Sequence, residues 1–325
     1  MDLSTARVLV TGGAGLVGSH IVDQLVSEGA SVIVYDSLIR GRLDHLESAR
    51  EQSDVKVVEG DIRDVDQLAA SMQGVDYVFH EAALWLHGCQ SEPRKALEVN
   101  VMGTFNVLEA CVKSGVKKVV AASSSSVYGD GSYFPTDEVH PFNNDLFYGA
   151  TKVADEQLLT CFHKEYGLAF IGLRYLNVYG PRQPFDSAYM DVIMHFLNRL
   201  DGDESPIIHG DGTQTVDLVF VEDVATANIT ALKSEVSEGF FNVASGVETT
   251  LNELAEMLIE LSGKTTLKAK HEHRDGKLVT RRLGCPRRAA ETLGFTTKIQ
   301  PMEGLRRVIE WRAEQKARKA AMAGQ

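Results

Sequence analysis

Arg7-Val8-Leu9-Val10-Thr11-Gly12-Gly13-Ala14-Gly15-Leu16-Val17-Gly18 is the stretch that decides how this chain folds. An apolar run ends at Thr11, spaced glycines follow, and Ile21, Val22, Leu25 and Val26 then recur at helical spacing on one face. Strand, glycine turn and helix in that order are the setting in which such glycines acquire chemical meaning. They permit a tight turn and let backbone amides approach a pyrophosphate, while the helix N-terminus adds favourable charge for an anion. Gly13-x-Gly15-x-x-Gly18 and Gly12-x-x-Gly15-x-x-Gly18 both fit a dinucleotide loop. Gly12, Gly15, Leu16, Val17 and Gly18 are therefore expected to hold a dinucleotide.

Working outward, Ser31 to Tyr35 reads as a second strand ending at Asp36. A carboxylate there can accept the adenosine ribose hydroxyls and repels the extra phosphate of NADP, so NAD is the expected cofactor. Arg40 and Arg42 follow closely and would tolerate a phosphate, which leaves NADP open on these residues alone. Val55–Val58, Tyr77–His80, Lys118–Ala122 and Phe170–Arg174 continue the strands. Helical stretches lie between them, notably Val99–Lys113 and Ala150–Glu165. The alternation predicts an α/β, Rossmann-type doubly wound parallel sheet with helices on both faces. Ligands of such sheets bind beyond the carboxyl ends of the strands, where the glycine loop, Asp36, Asp61 and Ser124 all fall.

Residues 1–177 are expected to form the NAD-binding domain and residues 178–325 mainly a smaller mixed α/β substrate-binding cap. Strand-like Val216–Val221 and helical Asp223–Lys233 read as a late return to the sheet, near 216–242. The tail from Arg312, rich in alanine and basic residues, reads as a fraying terminal helix.

Tyr148 and Lys152 stand one helical turn apart, with Ser124 upstream in a run of four serines. A tyrosine with a pKa of about 10 is a poor base at neutral pH. A nearby lysine cation favours the phenolate, and a serine hydroxyl can hold the reacting oxygen beside it. The three can move a proton on and off an alcohol while a hydride leaves the carbon. A solvated helix pair is the plain alternative for any Tyr-x-x-x-Lys; the nucleotide loop weighs against it here.

The chain has 325 residues, enough for one or two domains, and a formal charge of −12, which argues against general nucleic-acid binding. No run of about 18 apolar residues suggests a membrane span. Cys89, Cys111, Cys161 and Cys285 are scattered without a Cys-x-x-Cys pair. With a strand starting so near the N-terminus, they lead us to expect no signal peptide and a cytoplasmic protein. His271-Glu272-His273 reads as a surface strand and Asp201-Gly202-Asp203-Glu204 as a solvated turn, so no metal site is expected.

Taken together, these motifs resemble the extended short-chain dehydrogenase/reductase family, especially its nucleotide-sugar epimerases. The resemblance rests on the glycine loop through His20, Gly60-Asp61-Ile62-Arg63-Asp64, His80-Glu81-Ala82-Ala83 and Val99-Asn100-Val101-Met102-Gly103-Thr104. It continues with Ser123 to Gly129, Tyr148 to Lys152, and Arg174-Tyr175-Leu176-Asn177-Val178-Tyr179-Gly180-Pro181-Arg182. It implies that Asp61 and Ile62 meet the adenine, Ala82 and Ala83 line the cofactor, and Asn100 supports its side of the site. Ser124, Tyr148 and Lys152 would be catalytic, with Lys152 also on the nicotinamide ribose. Asn177, Ser124 and Ser125 would face the substrate. Helices carrying Leu97, Val101, Phe105 and Leu108, and Leu158, Leu159 and Phe162, would form a homodimer contact.

Family members that dehydrate or decarboxylate a sugar usually carry an acid after the catalytic Ser/Thr. Here the run is Ser124-Ser125-Ser126. That implies oxidation and reduction at one carbon: epimerisation, at C4 of a UDP-hexose. The family's cap arginine in Gln-x-Arg-Asp is replaced by Val216, and only Arg274 and Gly276 persist of a later Arg-Pro-Gly-Asp. Arg274 and Lys277 are the expected phosphate holders, with Arg182 or Arg281 as further candidates. Trp85 and His87 are expected to face the sugar, with plain packing of their loop as the alternative. A dehydrogenase acting on a free sugar, sugar acid or amino acid is the alternative, and a non-catalytic NAD-binding protein a distant third.

Overall fold

The computed structural model describes residues 1–185, 191–273 and 281–323. Its centre is a seven-stranded parallel sheet. The strands are β1 (Arg7–Thr11), β2 (Ser31–Asp36), β3 (Lys56–Glu59), β4 (Tyr77–His80), β5 (Lys118–Ser124), β6 (Ala169–Tyr175) and β7 (Phe240–Val243), in the order β7-β6-β5-β4-β1-β2-β3. The chain leaves β1 in one direction towards β2 and β3 and returns to add β4 on its other side. That reversal opens a crevice above β1 and β4.

Strand alternation explains why both faces are covered. Val8, Val10, Val32 and Val34 point to one face and pack beneath α1 (Leu16–Ser27) and, at the same layer, α4 (Val221–Lys233). Leu9, Ile33, Val78 and Val119 point to the other, beneath α2 (Gly103–Ser114) and α3 (Phe147–Tyr166). A separate apolar cluster gathers Tyr179, Phe196, Leu218, Phe220, Leu254, Leu258, Leu305 and Val308.

Two expectations are corrected. Val216–Val221 does not join the large sheet. Thr215–Val216 pairs antiparallel with Thr249–Thr250, and Leu218–Phe220 pairs parallel with Asn177–Tyr179. The buried Asp217 between them accepts hydrogen bonds from the backbone of Ser245, Gly246 and Gly284, turning the two halves to different partners. The return to the sheet is made by α4 and β7 instead. The tail from Arg312 does not fray there: it continues α5 (Pro301–Ala323), with Arg312 buried against Asp201 and Asn198. No helix among the described residues is long and apolar enough to cross a membrane.

Candidate active site

A cleft of about 720 Å³ runs along the carboxyl ends of the strands, within the roughly 300–1,000 Å³ typical of ligand pockets. Its floor is the glycine loop. Gly12 has φ of +67°, and a Cβ there would stand 2.8 Å from Ala82 N; one on Gly18 would overlap the Gly12 carbonyl oxygen. These glycines are needed to bring α1 down onto the loop and leave a backbone cradle. Gly12, Gly15, Leu16, Val17 and Gly18 all line the cleft, as do Asp36, Asp61, Ile62, Ala82 and Ala83. The cradle and its lining fit a dinucleotide.

Asp36 is tied into the loop. Its carboxylate accepts from Ala14 N at 2.9 Å and Leu38 N at 2.8 Å, and burial pushes its pKa up. Two oxygens offer about four acceptor positions, so capacity remains for ribose hydroxyls. The Asp61 side chain is occupied by Arg63, which donates to Oδ1 at 3.0 Å and Oδ2 at 2.7 Å. Asn100 does not line the cleft. It is fully buried, accepts from Leu84 N at 2.6 Å and donates to Thr151 Oγ1 at 3.0 Å, pinning the loop after β4 to α3.

Tyr148 and Lys152 enter the same cleft from α3. Lys152 is buried, and its Nζ donates to Ala122 O at 2.9 Å. Burial alone would depress its pKa; Asp155, Tyr148 and Glu81 outweigh that and keep it charged. Burial pushes the Tyr148 phenol above its usual value, while Lys152 and a hydrogen bond with Ser124 pull it back. Ser124 Oγ also accepts from Ser126 N, capping the short turn that follows β5. Ser125 is buried. Ser123 Oγ donates to Glu156 Oε1 at 2.6 Å, and Glu156 holds Arg174 bidentately at 2.8 and 2.7 Å. This buried network locks α3 to β5 and β6.

The expected substrate residues are dispersed. Trp85 lines the cleft, with the Arg40 guanidinium 4.3 Å from its ring centre. His87 is exposed on the next turn and does not line it. Asn177 has a buried side-chain oxygen without a partner. Arg182 reaches α1, 2.6 Å from Asp23, on the cofactor side of the cleft. Arg281 is paired with Glu248. Arg274 and Lys277 lie outside the described residues.

Several cleft residues were not expected from the sequence. Glu81 receives the Tyr175 hydroxyl at 3.0 Å, and burial pushes its pKa up to about 8 against the pull of Tyr175 and Lys152. A charge directly after the apolar strand Tyr77–His80, at the ligand end of a parallel sheet, was the available signal. Trp311, Gln315 and Lys319 reach the cleft from α5, which no local pattern foretold.

A parallel sheet with a nucleotide crevice, entered by a tyrosine and a lysine from one helix, defines an extended short-chain dehydrogenase/reductase. The chain belongs to the NAD dependent epimerase/dehydratase family, which matches residues 8–244, and NAD is its cofactor. The UDP-glucose 4-epimerase of Mycolicibacterium smegmatis is 37% identical over 310 residues, covering 94% of this chain and 98% of its own. The UDP-N-acetylglucosamine 4-epimerase of Methanobrevibacter ruminantium, solved with UDP-N-acetylmuramic acid, is similar with a TM-score of 0.90 at 33% identity, over 95% of this chain and 99% of that one. The Thermotoga maritima UDP-glucose 4-epimerase, solved with UDP-glucose, gives a TM-score of 0.88 at 33% identity, over 95% and 99%.

Proposed function

We propose that the protein is an NAD-dependent epimerase of nucleotide sugars, acting at C4 of a UDP-hexose. The observation that carries this reading is the Tyr148–Lys152 pair, with the Ser124 hydroxyl facing the phenol, opening into the cleft floored by the glycine loop. Tyr148 Oη takes the proton of the sugar hydroxyl, and Lys152 stabilises the phenolate that must receive it. Ser124 steadies the reacting oxygen. Bound NAD supplies the reversible hydride acceptor. The ketone turns over, and Tyr148 returns the proton as the opposite face is reduced.

Ser125 and Ser126 supply no second acid next to Ser124, which supports simple oxidation and reduction over loss of water or carboxylate. Val216, and the engagement of Arg281 by Glu248, favour one alternative: net dehydrogenation of a substrate without a diphosphate. Incubation with NAD and UDP-glucose, UDP-galactose and their N-acetyl and uronic acid forms separates the two. Interconversion without NADH supports the epimerase; NADH accumulating with turnover, or inertness towards every UDP-sugar, rejects it.

A homodimer is supported by the exposed apolar residues Leu97, Met102 and Phe105, with Tyr166 exposed on the neighbouring helix. Four free cysteines, three of them buried, support a reducing compartment such as the cytoplasm.

A further inference from the structure

Asp155 sits one turn beyond Lys152 on α3, 5% exposed, with Oδ2 3.3 Å from the Lys152 ammonium. The Thr104 hydroxyl from α2 faces this carboxylate and favours its charged form, while Oδ1 makes no hydrogen bond of ordinary length. Thr104 Oγ1 is 2.9 Å from His80 Nε2, and His80 Nδ1 is 2.7 Å from Thr11 Oγ1 at the lip of the glycine loop. Ala82 N donates to that same Thr11 oxygen.

One tautomer satisfies the whole chain. Thr11 donates to Nδ1 and Nε2–H donates to Thr104, which leaves the Thr104 hydroxyl hydrogen free to point at the Asp155 carboxylate. The imidazole stays neutral because burial depresses its pKa to about 3. Side chains from β1, β4 and α2 thus hold one carboxylate of α3 against the lysine of the reacting pair. Proton transfer through Tyr148 and Lys152 does not itself require an acid there. Without it, the full field of the ammonium would fall on the phenol.

Resting on the reading of Tyr148 as the acid/base, we propose that Asp155 is a positioning residue: its carboxylate fixes the Lys152 ammonium, offsets part of its charge at Tyr148, and so sets the acidity of the phenol. Burial pushes Asp155 up to about 6 against the pull of Lys152, so it is ionised at neutral pH. The other titratable groups facing the cluster are His80 on β4, Glu81 just after it, Tyr175 on β6, Cys89 on the helix 86–91 and Glu156 on α3. Asp155→Asn leaves all of them in place.

The test is an ultraviolet difference titration of tyrosinate, wild type against Tyr148→Phe, repeated with Asp155→Asn and Thr104→Val in both backgrounds. It reads the phenol directly, without turnover. Asp155→Asn removes a negative charge that raises the phenol's pKa, so the Tyr148 midpoint should fall, with more phenolate at fixed pH. The acid limb of kcat should move the same way. Thr104→Val keeps the charge but removes the hydroxyl that holds the carboxylate beside Lys152, so the shift should be in the same direction and smaller. An unmoved or raised midpoint in folded Asp155→Asn overturns the proposal. If that variant does not fold, an unmoved midpoint in Thr104→Val does so. Tyr148→Phe inactive with no shift in either variant sinks this inference alone; Tyr148→Phe active at the wild-type rate sinks the reading beneath it.

Discussion

Glu81 keeps a carboxyl group in a place that favours its neutral form. Its folded pKa of about 8 stands above the ordinary 4.5, so the folded protein binds this proton more tightly than the unfolded chain. The resulting stability is fully present below about pH 4.5 and is lost as pH rises through 8. Glu81→Gln should therefore be more stable than wild type by about 2–3 kcal/mol at pH 7 and near parity at pH 4.5, read from urea denaturation at both pH values. Tyr148→Phe should lower kcat by about 10²–10⁴-fold while leaving the circular dichroism spectrum and NAD content unchanged. Activity near the wild-type level would remove the phenol from the mechanism. Tyr148 and Lys152 were legible because helical spacing alone places both on one face. Glu81 was not, because its partners Tyr175 and Lys152 come from other strands and helices, and only the folded sheet brings them together.

Single elements carry the site through close backbone contact and buried charge. Gly18→Ala would drive a methyl group into the Gly12 carbonyl, lifting α1 from the loop. It should abolish retention of NAD and destabilise the protein by about 1–3 kcal/mol, measured as cofactor content and denaturant midpoint. An NAD content equal to wild type would contradict the loop's role. Glu156→Gln leaves the buried Arg174 guanidinium uncompensated and should cost about 3–5 kcal/mol in the same denaturation experiment. The six strands up to β6 were legible as short apolar runs ending in turn residues, to within a residue or two. Val216–Val221 misled because it is an apolar run in composition. What divides it is Asp217, whose carboxylate serves a loop from distant parts of the chain.

At the scale of the whole molecule, α5 packs Leu305 and Val308 into the second apolar cluster, while its Trp311, Gln315 and Lys319 reach the cleft and its Arg318 lies 3.1 Å from Glu47. Alanine and basic residues beyond Arg312 hid that role, since neither composition nor periodicity reveals what a terminal helix lies against. Phe105 on α2 is 37% exposed. Phe105→Glu should convert a dimer to a monomer by sedimentation, with the fold intact; a monomeric wild type would refute the interface. The central claim is that one carbon is oxidised and then reduced without leaving the cleft. Its most direct test is conversion of UDP-galactose labelled with deuterium at C4. UDP-glucose that keeps the deuterium at C4, with no NADH released, is the predicted result. Loss of the label to solvent, or reduced cofactor formed in step with product, would contradict it.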